Sequence, residues 1–185
     1  MSHNYYYFVA SLPHISYGDK PTFSTADFRD QCEIQLNSGD ASLIPYCTFD
    51  PKIIMETSRK TGSSFIDQFM QWERTMILTL ASLRAVRLKR QFTDDVPHDM
   101  PRVEALAKAA FEMDDPLEAQ LTMDRARWGV LDEMLGLEYF GVNNIYVYLL
   151  KLQLLERKQR LDTEKGLEAY REIYNSILNN YKSRA

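Results

Sequence analysis

The second half of the chain repeats its apolar residues at helical spacing. From Ser63 or Ser64 to about Gln91, the residues Phe65, Phe69, Trp72, Met76, Leu80 and Leu83 fall within a narrow arc, at about 100° per residue. A long amphipathic helix is expected there. Asp115-Pro116-Leu117-Glu118 combines a capping side chain, a first-turn proline and an acid beside the free N–H groups, the signature of a helix start. That helix should run to about Leu137 and bury Leu117, Leu121, Trp128, Leu131 and Leu135, with Gly136 or Gly141 marking its end. Asn143 or Asn144 is the expected cap of the next helix. It is apolar nearly all round at first (Ile145, Val147, Leu149, Leu150) and polar after Leu155, as suits a central helix whose far end emerges into solvent. Asp162 should cap a last helix with Leu167, Tyr170, Tyr174, Ile177 and Tyr181 turned inward. Short connections near 138–143 and 161–163 imply antiparallel neighbours.

The first third is less regular. Residues 5–12, an aromatic-apolar run closed by Pro13, suit a strand or a turn or two of helix equally. Gly18-Asp19 and Pro21 supply turn chemistry. Ser24 should cap a helix with Asp27 at its third position, carrying Phe28, Cys32 and Leu36 on one side and ending at Asn37–Asp40. A short helix is expected around 41–46, and Lys60-Thr61-Gly62 is a break. Asp99 and Pro101 suit the cap and first turn of a short helix that ends near Met113.

These elements predict an all-α protein, an antiparallel bundle of about five to seven helices with a short extended or helical N-terminal segment. The 185 residues suit one domain, with 1–62 as N-terminal segment and short helices and 63–185 as the main bundle. A chain of this length buries enough surface to need no disulfide or metal staple. The net charge of -4, with both signs interspersed, disfavours nucleic acid, because only Arg84–Arg90 gathers cations. Cys32 and Cys47 have no CxxC spacing and no histidine at ligand distance, so they read as buried or free thiols of a reducing compartment. The N-terminus does not resemble a signal peptide. The longest apolar stretch, Ile145–Leu155, is interrupted by Lys151 and Gln153 and falls well short of the ~20 residues of a membrane span. A cytoplasmic protein is expected, with any membrane contact made through a partner.

No nucleotide-binding or serine-hydrolase motif occurs, nor the Glu-x-x-His of a di-metal bundle. Neither catalytic residue, metal nor cofactor is expected. Acid pairs such as Asp94-Asp95 and Asp114-Asp115 sit where helix starts favour negative charge. Charges on apolar faces are more informative. Asp124 projects between Leu121, Trp128 and Leu131, with Arg127 at the edge of that face, and Glu73, Arg84 and Arg87 point toward Phe69, Ile77 and Leu80. An unpaired buried charge costs several kcal/mol, so interhelical ion pairs are expected, for example Asp124 with Arg84 or Arg87. A partner-binding charge site is the other reading, and an acid/base role for Asp124 or Glu73 would require a well-formed pocket. The aromatic run Tyr5–Phe8 reads either as core or as interface.

Two stretches resemble a known family. YYYFVASLPHISYGDKPTFSTADF, from Tyr5, and RARWGVLDEMLGLEYFGVNNIYVYLLKLQLLERKQRLDTEKG, from Arg125, are similar to the two ends of an uncharacterised bacterial family encoded in V-type ATPase operons. The positions carrying the likeness are Tyr6, Ser11, Leu12, Pro13, Gly18, Asp19, Arg127, Trp128, Asp132, Lys151, Gln153, Glu156 and Arg157. The resemblance implies a non-catalytic subunit or assembly factor of a V/A-type rotary ATPase; the family's size and helical content invite comparison with the central-stalk C (d-like) subunit, although this chain, at 185 residues, is much shorter. It implies contacts with central-stalk or soluble-head subunits, peripheral to the inner membrane. Asp124, Arg127, Trp128, Glu73, Arg84, Arg87, Tyr6 and Pro13 are the candidate structural or partner-binding residues. The alternative is a stand-alone helical adaptor that forms a homo-oligomer.

Overall fold

The computed structural model describes residues 5–57, 59–161, 166 and 173–174. Among them are eight α-helices, one short 3-10 turn at Ile44–Tyr46, and no strand. The helices are α1 (Tyr6–Ser11), α2 (Thr25–Gln35), α3 (Ser38–Ala41), α4 (Pro51–Glu56), α5 (Ser64–Arg87), α6 (Pro101–Glu112), α7 (Pro116–Leu135) and α8 (Val142–Arg160). The all-α expectation is met. The last helix expected after Asp162 lies outside the described residues apart from Gly166, Ile173 and Tyr174. Of these, Tyr174 is about half exposed, against the inward position expected for it.

Local chemistry sets most of the boundaries. Ser24 and Asp27 form a reciprocal capping box at the start of α2, and Ser63 accepts the Ile66 N–H at the start of α5. Asp115 accepts the Leu117 N–H ahead of Pro116. Each satisfies a donor that the helix itself cannot reach. The run 5–12 resolves as helix, not strand. Asn37 opens α3 instead of closing α2, its side chain accepting the Asp40 N–H. The short helix expected around 41–46 is divided between α3 and the 3-10 turn. Asp99 does not cap α6; its carboxylate accepts from Gln71, and Met100 holds the cap position with no side-chain bond. α5 stops at Arg87, short of Gln91. Neither Asn143 nor Asn144 caps α8: both sit inside its first turn and donate back to Glu138, one to the carboxylate and one to the backbone carbonyl. α7 ends at Gly136, whose φ of 58° lies in the left-handed region glycine enters without strain.

α8 is the axis of the molecule. Ile145, Tyr146, Leu149, Leu150, Leu152, Leu154 and Leu155 are all 0% exposed, and each aliphatic one among them contributes about 1.5–3 kcal/mol of burial. Around it, Ile15, Phe28, Cys32, Leu36, Ile44, Cys47 and Phe49 from the first third join Phe65, Ile66, Phe69 and Met70 of α5 in one core. A second core joins Trp72, Met76 and Leu80 of α5 to Val103, Ala107 and Ala110 of α6 and Ala119 and Met123 of α7. α7 and α8 are antiparallel. Moving from Asp132 back to Asp124 along α7 moves the partner from Lys151 forward to Arg157 along α8.

Candidate functional site

Between the two cores, helices α5, α7 and α8 face one another across four charged side chains. Arg127 grips Glu73 with two parallel bonds, Nε to Oε1 at 2.6 Å and one terminal nitrogen to Oε2 at 3.0 Å. Its other terminal nitrogen donates to Asp124 Oδ1 at 2.9 Å. Arg157 donates to the same oxygen at 2.9 Å, and Gln120 does so at 3.0 Å. Asp124 is 0% exposed, Glu73 and Arg127 are buried, and Arg157 is the member that reaches water. The phenyl ring of Phe49 lies under both guanidinium groups, 5.5 Å from Arg127 and 5.0 Å from Arg157. Two acids and two arginines cancel, the condition on which a buried charge cluster is tolerated. Burial alone would lower the Arg127 pKa, but the Glu73 carboxylate, with Asp124 adding to it, holds it above the ordinary guanidinium value.

The expectation that Asp124 would meet an arginine is met, but not by Arg84 or Arg87. Both of those are exposed. Glu73 is the residue of α5 opposite the middle of α7, and Arg84 and Arg87 lie about three and four turns further on. There α6 is the neighbour, and Arg87 sits over the Phe111 ring at 5.1 Å. Arg127, expected at the edge of the buried face, is the centre of the network. Phe49 was not expected in it. Trp128 is half-buried under Lys151 Nζ, 4.5 Å from the ring centre, and meets Tyr17 edge-on.

The polar residues of the second family-like stretch each tie α8 to a different element. Lys151 pairs with Asp132 of α7 at 2.5 Å. Gln153 donates to the Cys47 carbonyl at 2.9 Å. Glu156 accepts the Thr25 N–H at 2.6 Å, satisfying a free donor at the start of α2. Arg157 closes the buried network. The first stretch folds onto the same helix: Tyr148 donates its hydroxyl to the Pro13 carbonyl at 3.1 Å, and Phe8, Phe23 and Phe28 pack their rings with Tyr148 in one cluster. At Gly18, φ is +112°, and a Cβ would come within 2.9 Å of Lys158 Nζ.

Where the two stretches meet, the molecule leaves aromatic surface in water. The Tyr5 N–H donates to the Phe140 carbonyl at 2.9 Å, and the Tyr6 ring centre is 4.5 Å from that of Phe140. Tyr6 contacts Tyr7 on one side, and Phe140 contacts Tyr139 on the other. Tyr7 is 88% exposed, Leu137 84% and Tyr139 68%. Of the aromatic run, Tyr5 and Phe8 pack against the core, whereas Tyr6 and Tyr7 face solvent. The core-or-interface alternative therefore divides by residue.

Both cysteines are free and buried, and burial pushes the Cys32 thiol up to about 12 and Cys47 higher still. Neither is poised as a thiolate. Four surface hollows, bounded for example by Ile15 and Tyr148, by Gly18 and Lys158, and by Thr61 and Arg59, are lined by neither Glu73 nor Asp124. Among the described residues no cluster of His, Cys, Asp or Glu could hold a metal ion, and no helix is long and apolar enough to cross a membrane.

Residues 95–181 are similar to a family described as a protein of unknown function (DUF2764). The match takes in α6, α7, α8 and the whole second family-like stretch, and leaves out the first. No curated protein and no solved structure matches the sequence.

Proposed function

We propose that this chain is a non-catalytic subunit or assembly factor of a V/A-type rotary ATPase and acts through protein contacts made by its aromatic end. The observation that carries the reading is spatial. The two stretches that resemble the ATPase-operon family are separated by 96 residues in sequence, yet they fold together around α8 and jointly present Tyr6, Tyr7, Leu137, Tyr139 and Phe140. Exposed aromatic clusters on a folded protein mark interaction sites. The buried charges support the same reading. Glu73 and both guanidinium groups are engaged within the chain, and Asp124 Oδ1 takes three donors while its buried Oδ2 takes none among the described residues, so the network works chiefly to hold helix register. In this role the protein is cytoplasmic and peripheral to the membrane through the complex.

The test is purification of the intact ATPase from the native cell. The chain should travel with the soluble head or the central stalk. A complex of full subunit composition that lacks it at every step, assembly intermediates included, would contradict the proposal.

A further inference from the structure

Among the described residues, the segments that form the aromatic end carry acids and no lysine or arginine. No lysine or arginine occurs between residues 1 and 19, or between Trp128 and Leu150, whereas Asp132, Glu133 and Glu138 fall in the second interval. Lys151, the nearest cation along α8, is engaged by Asp132 and lies over Trp128. Glu133 is exposed on the last turn of α7, Glu138 is half-buried beside Tyr139 with one oxygen accepting from Asn143, and Asp40 accepts the Tyr5 hydroxyl at 2.6 Å. The surface therefore combines exposed rings and a leucine with an acidic rim. Runs of cations close α5, at Arg84, Arg87, Lys89 and Arg90, and α8, at Arg157, Lys158 and Arg160.

We infer that this end docks a basic amphipathic helix of a partner protein, with an apolar stripe laid on Tyr7, Leu137 and Tyr139 and flanking lysines or arginines against Glu133 and Glu138. Charge selects this occupant over two others. A second copy docked through the same face about a two-fold axis would set acidic rim against acidic rim. An anionic membrane surface attracts basic segments and repels this one. The inference deepens the proposed function by giving the chemistry of the subunit segment the chain would contact, and it rests on that reading only for the partner's place in the cell.

The probe is a fluorescein-labelled synthetic helix with a leucine face flanked by lysines, compared with a twin flanked by glutamates. Anisotropy titrations against the full-length protein should show the lysine twin binding about tenfold tighter or more, a gap that narrows with added salt. Tyr7→Ser with Tyr139→Ser should abolish binding, and Leu137→Ser alone should weaken it, with melting curves unchanged. Glu133→Lys should weaken the lysine twin and strengthen the glutamate twin. Equal affinity for the twins, no binding of the lysine twin, or variants that bind like the parent would overturn the inference. So would self-association, or binding to phosphatidylserine-containing vesicles, that is lost in the same variants. Lysine-helix binding without ATPase subunits in the purification leaves the docking chemistry standing and removes the ATPase assignment. Co-purification untouched by the aromatic variants does the reverse.

Discussion

The seam between α5, α7 and α8 and the end formed by α1 and the α7–α8 turn depart from the usual arrangement in opposite ways. At the seam, charges are buried; at the end, large apolar rings are left in water. The chain balances the first departure by itself, because Glu73, Arg127, Asp124 and Arg157 neutralise one another and both guanidinium groups lie against the Phe49 ring, although Asp124 Oδ2 takes no donor among the described residues. It does not resolve the second, since Tyr7 and Leu137 remain more than four-fifths exposed. An anomaly answered within the molecule is structural. One left unanswered points outward, and the proposed contact surface rests on this contrast.

The largest expected effect breaks the seam. Arg127→Met removes both bonds to the buried Glu73 carboxylate and one of the three donors to Asp124, leaving a buried charge without its partner at a cost of about 3–5 kcal/mol. Urea denaturation followed by circular dichroism should show this as a large fall in midpoint. Arg157→Met should cost less, about 1–2 kcal/mol, because Arg157 is partly exposed and Arg127 still reaches Asp124. Equal losses for the two would mean that the network is not centred on Arg127.

An intermediate effect comes with alkali and concerns the core around α8. Burial raises Tyr148 to about 12, and burial together with the Asp40 bond raises Tyr5 to about 12, both from an ordinary 10.0; burial raises Cys32 to about 12 from 9.0. In each case the folded state holds its proton more tightly than the unfolded chain. Their stabilisation is therefore complete below about pH 9 and is lost as pH climbs toward 12. The last part of the tyrosinate absorbance rise, from the buried rings, should coincide with the loss of helicity in one step within that window. Independent ionisation of all the tyrosines near pH 10, with helicity intact, would contradict the burial assigned to Tyr148 and Tyr5.

The smallest effects on stability sharpen the contrast. Tyr7→Ser and Leu137→Ser should each shift stability by no more than about 0.5 kcal/mol. Arg84→Ala should be as mild, and Arg87→Ala should cost about 0.5–1 kcal/mol through its contact with Phe111. Thermal melts of these four variants beside Arg127→Met would separate the residues that hold the fold from those that do not.

The capping residues were legible in sequence where the cap and its acid lie within one turn, as at Ser24–Asp27 and Asp115-Pro116. Asn37 and Asn143 were not, because an asparagine beside a turn has several local partners and only the path of the following chain selects one. Periodicity placed Asp124 and Glu73 on buried faces correctly. It could not name the arginines, since a helical face fixes direction and not depth. Arg157 meets Asp124 only because the α7–α8 turn sets those helices antiparallel in one register, and Arg84 misses it because α6 occupies that length of α5. Phe49 carries no periodic signal at all, lying in the loop before α4. The aromatic end was half legible: the run Tyr5–Phe8 stood out, but which rings faced water depended on α1 docking against Phe140.

The most direct test of the contrast uses the chain carrying Tyr7→Ser and Tyr139→Ser, tagged and expressed in its native cell beside the unaltered chain. Urea midpoints of the two purified proteins should agree, while the ATPase subunits that accompany the unaltered chain should be absent from the variant. A lowered midpoint would make the aromatic end part of the fold, and undiminished ATPase subunits would place the contact on another face.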